Sequence, residues 1–192
     1  MKIGIVGDTH GDAASWARAM DIFDSADLII HTGDVMPRAP SGLDVNTMNV
    51  PELVQMINNS PIPVVIAKGE TDSEIYELII DAPMQFPYAV VNLEGLRVVA
   101  CHGMFLRKEH MVERATKHGA QVFAFGHTHF PSLERVGEVI LVNPGSPSLS
   151  RYELRGMPVP TVATIEDGRV RIHELEQGKA IRELAIDAGS ER

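Results

Sequence analysis

Five short segments of this chain, Asp8-Thr9-His10-Gly11, Gly33-Asp34, Gly69-Glu70-Thr71-Asp72, His102-Gly103 and Gly126-His127-Thr128-His129, collect Asp, Glu and His, the side chains that ligate divalent transition metals. Carboxylates and imidazoles converging on a pair of cations make a standard device for attacking a phosphate. Taken singly, the segments are weak signals. An Asp at a strand end ordinarily caps the next helix, and that reading is open for Asp8 and for Asp34. His102 alone would be a core histidine. His127 and His129, one residue apart and followed at once by Phe130-Pro131, are harder to assign to packing. Jointly, ligand-type residues at strand end after strand end, with almost none inside the strands, do not fit independent caps.

Each segment follows an apolar run that reads as a buried strand, and open α/β sheets bind ligands at the carboxyl ends of their strands. Strands are expected over 2–7, 27–31, 63–67, 85–93, 96–101 and 121–125. Hairpins are expected over 131–142 and 159–176, the second turning at Asp167-Gly168. Helices are expected over 12–24, 51–59, 73–80 and 106–118, with Gly119 as a C-cap. Residues 36–49, rich in Pro, Gly, Ser and Asn, read as a long loop on the rim beside Asp34. The expected fold class is α/β, a two-layer β-sandwich flanked by helices. It forms a single domain over 1–176, and the polar tail 177–192 is expected to fray.

The chain has 192 residues, 44% apolar and 22% charged, ordinary values for a globular domain. Its net charge of −9 argues against stable binding to nucleic acid or to acidic membranes. It does not exclude a nucleotide held by metals, because a cation cluster reverses the local field. A single cysteine, Cys101, rules out an internal disulfide and fits a reducing cytoplasm. No apolar run approaches the length of a membrane span, and the short apolar N-terminus stops at Asp8, so a soluble cytoplasmic protein is expected.

The ordered set Asp8-x-His10, Gly33-Asp34, the Gly69 segment, His102-Gly103 and Gly126-His127-x-His129 resembles the signature of calcineurin-like metallophosphoesterases. The small size and the Asn143-Pro144-Gly145-Ser146 turn resemble the short, YfcE-like phosphodiesterase branch. The resemblance covers roughly residues 1–175. It implies an α-β-β-α fold and two divalent transition metals, Mn²⁺ first, with Fe, Zn²⁺ or Ni²⁺ as alternatives. One metal would be held by Asp8, His10, Asp34 and His129. The other would be held by Asp34, residue 70, His102 and His127, with Asp34 bridging. A hydroxide on the metals would attack phosphorus in line, and Asp34, Glu70 and His102 carry the reaction on this reading. No nucleophilic Ser or Cys is needed. The implied partner is a small phosphorylated substrate, a nucleotide among the candidates. A homo-oligomer built through sheet edges or helices stays open by analogy. The same resemblance leaves two alternatives: a phosphomonoesterase or pyrophosphatase, and a non-catalytic scaffold like the retromer subunit of the same fold.

Glu70 departs from the family pattern, which has Asn after this glycine. Asn ligates through its carbonyl and can donate a hydrogen bond to phosphate from its amide, whereas an ionised Glu can only accept. Two divalent cations with Asp8, Asp34 and a bridging hydroxide sum to about +1, and ionised Glu70 brings the total to about 0. Three readings are open: Glu70 ligates in a working enzyme of altered preference; it turns away towards Lys68; or the loop is offset and Asp72 serves instead. Near these motifs, His31 reads as a buried supporting histidine and Cys101 as a strand residue. Phe105 and Phe130 read as apolar packing, with stacking on a base as the alternative, and Arg151 as a candidate phosphate contact. His110, His118 and His173 are set aside.

Overall fold

The computed structural model describes residues 1–37 and 50–186. Its elements are β1 (Lys2–Val6), α1 (Ala13–Ile22), β2 (Leu28–His31), α2 (Val50–Asn58), β3 (Val64–Ala67), α3 (Glu74–Glu77) and β4 (Met84–Gln85). There follow β5 (Ala89–Leu93), β6 (Leu96–Cys101), α4 (Lys108–His118), β7 (Val122–Phe125), β8 (Ser132–Val136) and β9 (Val139–Asn143). The chain ends with β10 (Glu153–Leu154), β11 (Met157–Pro158), β12 (Thr161–Glu166), β13 (Arg169–Glu174) and β14 (Ala180–Ala185).

These strands form a seven-stranded sheet, β14-β13-β12-β1-β2-β3-β4, a five-stranded sheet, β5-β6-β7-β9-β8, and the small β10-β11 hairpin. Period-two alternation builds the layers, because successive side chains on a strand face opposite sides. Ile5 and Ile30 face the core between the sheets, while Val6 and Ile29 face the helical layer of Trp16, Phe23, Leu53 and Ile57. Val98, Val122 and Ile140 face the same inter-sheet core; Val99, Phe123 and Leu141 face Met111 and Ala115 of α4. Strands sandwiched this way must be apolar on both faces, which is why they read as continuous hydrophobic runs. The architecture is therefore helix, sheet, sheet, helix. β1-β2-β3 in one sheet and β6-β7 in the other are parallel, so their carboxyl ends share a direction within each sheet.

Three details differ from the sequence expectation. The strand expected over 85–93 is two strands in two sheets: β4 pairs with β3, and β5 pairs with β6. Pro87, which has no N–H to give a ladder, lies at the crossing. The helix expected over 73–80 shortens to α3. The tail expected to fray from Gln177 instead supplies an edge strand, β14, antiparallel to β13. Its Ile181 and Leu184, with Ile186, pack on the inter-sheet core, and Glu183 pairs with Arg169 and Arg171. Of the loop expected over 36–49, residues 38–49 lie outside the described residues, as do 187–192 of the tail.

Candidate metal centre

Asp8 follows β1, Asp34 follows β2, Glu70 follows β3, His102 follows β6, and His127 and His129 follow β7. With His10, all seven sequence-predicted side chains meet in one crevice. Asp8, His10 and His129 form one convergent group, and Glu70, His102 and His127 form a second. Asp8, Asp34 and His102 form a third that links them. His10 Nε2 is 3.1 Å from His129 Nε2, and His129 Nε2 is 3.4 Å from Asp8 Oδ1. Asp34 Oδ2 lies 3.9 Å from His10 Nε2 and 3.5 Å from His102 Nε2, within reach of both halves.

Glu70 does not turn towards Lys68, whose ammonium pairs with Glu77. Its carboxylate spans two imidazoles, Oε2 at 2.6 Å from His102 Nε2 and Oε1 at 2.9 Å from His127 Nδ1. Asp72 is buried and spent on the backbone, accepting from Gly69 N at 2.9 Å and Met36 N at 3.1 Å. Nor is Asp8 a helix cap. Asp12 caps α1, accepting from Ser15 N at 3.0 Å.

The backbone is strained where these groups converge. Asp8, His10, Asp34, His127 and His129 all have positive φ, between 47° and 69°. Such a conformation costs about 1–3 kcal/mol for a non-glycine residue and persists only where the surroundings fix it. Here Gly33 O accepts from Asp8 N at 2.9 Å, Asp34 O accepts from His10 N at 3.1 Å, and Asp8 Oδ2 accepts from His127 N at 3.0 Å. A glycine lets β3 approach: a Cβ on Gly69 would lie 2.3 Å from Asp34 N and Oδ1.

The rings are oriented by carbonyls, which can only accept. His102 Nδ1 donates to Thr32 O at 3.0 Å, and His129 Nδ1 donates to Leu149 O at 2.9 Å. Each neutral ring then carries a lone pair on Nε2. Buried His102 Nε2 has no hydrogen-bond partner; Glu70 Oε2 is in contact but not aligned for one. Lone pairs thus face carboxylate oxygens across a few ångströms, an arrangement that a cation between them would satisfy. The donor set, imidazole nitrogen mixed with carboxylate oxygen, suits Mn²⁺, Fe or Zn²⁺ better than Mg²⁺ or Ca²⁺. The residues present therefore fit a metal centre.

Electrostatics follow from burial. Asp8 is pushed up to about 8, first by burial and then by neighbouring Asp34. Burial also lowers His10 and His129 below the ordinary imidazole range. His31 is lowered to about 3 by complete burial. Its ring accepts from Gly33 N at Nδ1, 3.1 Å, and donates from Nε2 to Thr9 Oγ1, 3.0 Å; Thr9 Oγ1 in turn donates to Val35 O. Both ring nitrogens are therefore engaged by the turns that carry His10 and Asp34, and His31 supports the site without entering it. Burial pushes the Cys101 thiol up to about 12, so it is no nucleophile at neutral pH.

Sequence reading missed the residues that hold the ligands in place. Asn143 Nδ2 donates to Gly126 O at 2.8 Å and Thr128 Oγ1 at 3.1 Å, shaping the turn between the paired histidines. Ser146 and Ser148 hydroxyls both donate to Asp8 O. The Asn143-Pro144-Gly145-Ser146 run was the available signal, legible as a turn but not as a clamp on Asp8. Phe105 is 89% exposed, so apolar packing does not account for it, and Phe130 meets Tyr152 edge-on at 5.8 Å. Arg151 donates its backbone N–H to His129 O at 3.0 Å.

Residues 1–167 match the profile of the calcineurin-like phosphoesterase superfamily domain. The chain is 27% identical over 153 residues to phosphodiesterase YfcE of Escherichia coli K12, spanning 79% of this chain and 82% of that protein. It is 27% identical over 154 residues to phosphodiesterase MJ0936 of Methanocaldococcus jannaschii, spanning 76% and 83%. Among solved structures, the E. coli YfcE phosphoesterase superposes with a TM-score of 0.78 at 24% identity, covering 97% of this chain and all (100%) of that one. Zinc-bound Vps29 from Entamoeba histolytica superposes at 0.65 with 17% identity, over 97% of this chain and 100% of that one. With the family profile spanning nearly all of the described fold, the chain belongs to the calcineurin-like phosphoesterase superfamily.

Proposed function

We propose that this chain is a metal-dependent phosphodiesterase acting on a small phosphorylated substrate. Asp8, His10, Asp34 and His129 would hold one divalent transition metal, and Asp34, Glu70, His102 and His127 a second. Mn²⁺ is the first candidate, with Fe, Zn²⁺ and Ni²⁺ behind it. When bound, such a pair supplies water activation at neutral pH and neutralises charge on the phosphate oxygens. The observation that carries this reading is the buried His102 Nε2, oriented by Thr32 O and left without a hydrogen-bond partner beside the Glu70 and Asp34 carboxylates.

The protein's own part is placement. Asp34 is the carboxylate within reach of both halves. Thr71 N holds its other oxygen, Oδ1, at 3.0 Å, which orients Oδ2 to the cluster. Preorganised ligands need no rearrangement when charge develops at phosphorus. Cys101 offers no competing covalent route. The scaffold alternative rested on Glu70, and the Glu70 carboxylate faces into the cluster. Among the described residues no helix is long and apolar enough to cross a membrane. We place the protein in the cytoplasm, a reducing compartment that fits a chain whose single cysteine cannot form an internal disulfide.

The test is hydrolysis of bis(p-nitrophenyl) phosphate and of p-nitrophenyl phosphate by metal-stripped protein, before and after adding Mn²⁺. Diester turnover that appears only with metal is expected. Turnover of the monoester alone would move the assignment to a phosphomonoesterase. No turnover of either ester, with metal shown to be bound, would overturn the catalytic reading.

A further inference from the structure

Glu70 is the carboxylate of this crevice that meets solvent. Its side chain is 29% exposed, against 0% for Asp8 and 4% for Asp34. Among the described residues, its two oxygens pair with imidazole nitrogens, those of His102 and His127. Lys68, two residues earlier, is committed to Glu77. Among the described residues no Lys or Arg pairs with Glu70. Among the described residues, then, no cationic side chain offsets its negative charge, and it lies on the more solvent-exposed side of the cluster, beside half-exposed His127. With metals in place it also takes one unit of positive charge off the pocket.

We infer that Glu70 selects substrates by charge, admitting singly charged phosphodiesters and turning away doubly charged phosphomonoesters and orthophosphate. The inference rests on the metal-dependent phosphodiesterase reading above and deepens it by naming the residue that sets the preference for diesters. A phosphodiester carries one negative charge near neutral pH. A monoester loses a second proton with a pKa of about 6 and is then mostly a dianion. The additional charge interacts unfavourably with the Glu70 carboxylate, which is only partly exposed to screening solvent.

The same charge acts on the product. Hydrolysis breaks the phosphorus–oxygen bond to one alcohol and forms one to the oxygen of water. It releases the alcohol, a monoester and, as the monoester ionises, a proton. The product thus carries one more negative charge than the substrate. Glu70 favours its departure and disfavours a second hydrolysis. The reaction stops at the monoester, which a separate phosphomonoesterase reaction must consume.

The experiment compares wild type, Glu70→Gln, Glu70→Asn and Glu70→Asp, each loaded with Mn²⁺ and assayed for bound metal. The readout is the ratio of kcat/KM for p-nitrophenyl phosphate to that for bis(p-nitrophenyl) phosphate. Both substrates are measured on one sample, and only samples shown to hold two Mn²⁺ per chain are compared, because Glu70 is itself a proposed ligand. Neutral Gln and Asn should raise the ratio about tenfold or more, while Asp, which keeps the charge, should leave it near wild type. Calorimetric binding of orthophosphate to the Mn²⁺-loaded proteins gives a readout free of turnover, and the neutral variants should bind it about tenfold more tightly. A third check needs no variant: orthophosphate should inhibit wild-type diester hydrolysis only at roughly millimolar concentration. An unchanged ratio in both neutral variants, or micromolar orthophosphate inhibition of wild type, overturns the selectivity assignment while leaving the phosphodiesterase reading intact. Absence of turnover by wild type on either ester is the separate failure of that reading.

Discussion

The fully buried Ser146 hydroxyl donates a 2.8 Å hydrogen bond to the carbonyl of Asp8, tying the turn after β9 to the turn after β1. The same oxygen accepts from Leu149 N at 2.8 Å, and Leu149 O holds His129 Nδ1. One side chain thus sets the spacing of two groups proposed to share a metal. Ser146→Ala deletes the donor and the acceptor together. It should destabilise the fold by about 1–3 kcal/mol and weaken Mn²⁺ binding about tenfold or more, the usual effect of losing a group that orients a ligand. Thermal melts and a metal titration check this. Wild-type Mn²⁺ affinity in a folded Ser146→Ala protein would show that Ser146 supports the fold alone.

Asp34 carries the link between the two halves of the cluster, because its Oδ2 is within 3.9 Å of His10 Nε2 and 3.5 Å of His102 Nε2. Asn in its place keeps an acceptor for Thr71 N at Oδ1 but puts a neutral amide between the halves. Asp34→Asn should bind fewer than two metals per chain by elemental analysis after dialysis. Diester hydrolysis should fall about a hundredfold or more, beyond the usual cost of losing a mere supporting contact. Two tightly held metals and an unchanged rate would remove Asp34 from its bridging position.

Much of this site was legible because its chemistry sits where chain direction changes. A strand must be apolar to be buried on both faces, so a carboxylate or imidazole at its end stands out, as Asp8, Asp34, His102 and His127 do. The layered fold followed from the same runs. What stayed hidden is of three kinds. Left-handed backbone at Asp8, His10, Asp34, His127 and His129 leaves no trace in residue type, because Asp and His tolerate it without demanding it. The Ser146 and Asn143 clamps join segments far apart in sequence, and periodicity says nothing about such pairs. The edge strand at 180–185 was masked by composition: Arg182 and Glu183 made the segment look solvated, while Ile181 and Leu184 were enough to seat it on the core. The direction of Glu70 could not be fixed from sequence, since ligation, a turn towards Lys68 and an offset loop using Asp72 all remained open.

His31 gives the metal-free fold a measurable pH dependence. The buried ring has a pKa lowered to about 3 from an ordinary value near 6.5. A proton added at Nδ1 would face the N–H of Gly33, which now donates to that atom. The unfolded chain therefore binds a proton as pH falls below about 6.5, and the folded chain does not until about 3. The contribution of His31 is fully present above pH 6.5 and is lost progressively as pH falls towards 3. Between about pH 7 and pH 5 the stability gap between wild type and His31→Gln should shrink by about 2 kcal/mol. Urea unfolding in the presence of a chelator measures it. A gap independent of pH would mean that His31 titrates alike folded and unfolded.

Asp8 has the opposite sign and bears on metal uptake. Burial and Asp34 raise it to about 8, so metal-free protein at neutral pH holds a proton there. Burial lowers His10 and His129, which favours the neutral imidazole that ligates. Mn²⁺ must displace the Asp8 proton to use that carboxylate, and metal binding then releases a proton. Apparent Mn²⁺ affinity should rise about tenfold per pH unit between roughly pH 6 and pH 8 and flatten above the Asp8 pKa. Calorimetry in two buffers of different ionisation enthalpy should show close to one proton released below that pKa, and fewer above it. Asp8→Asn should bind metal weakly and lose the pH slope together with the proton release. A slope that persists in Asp8→Asn would assign the competing proton to another ligand of the cluster.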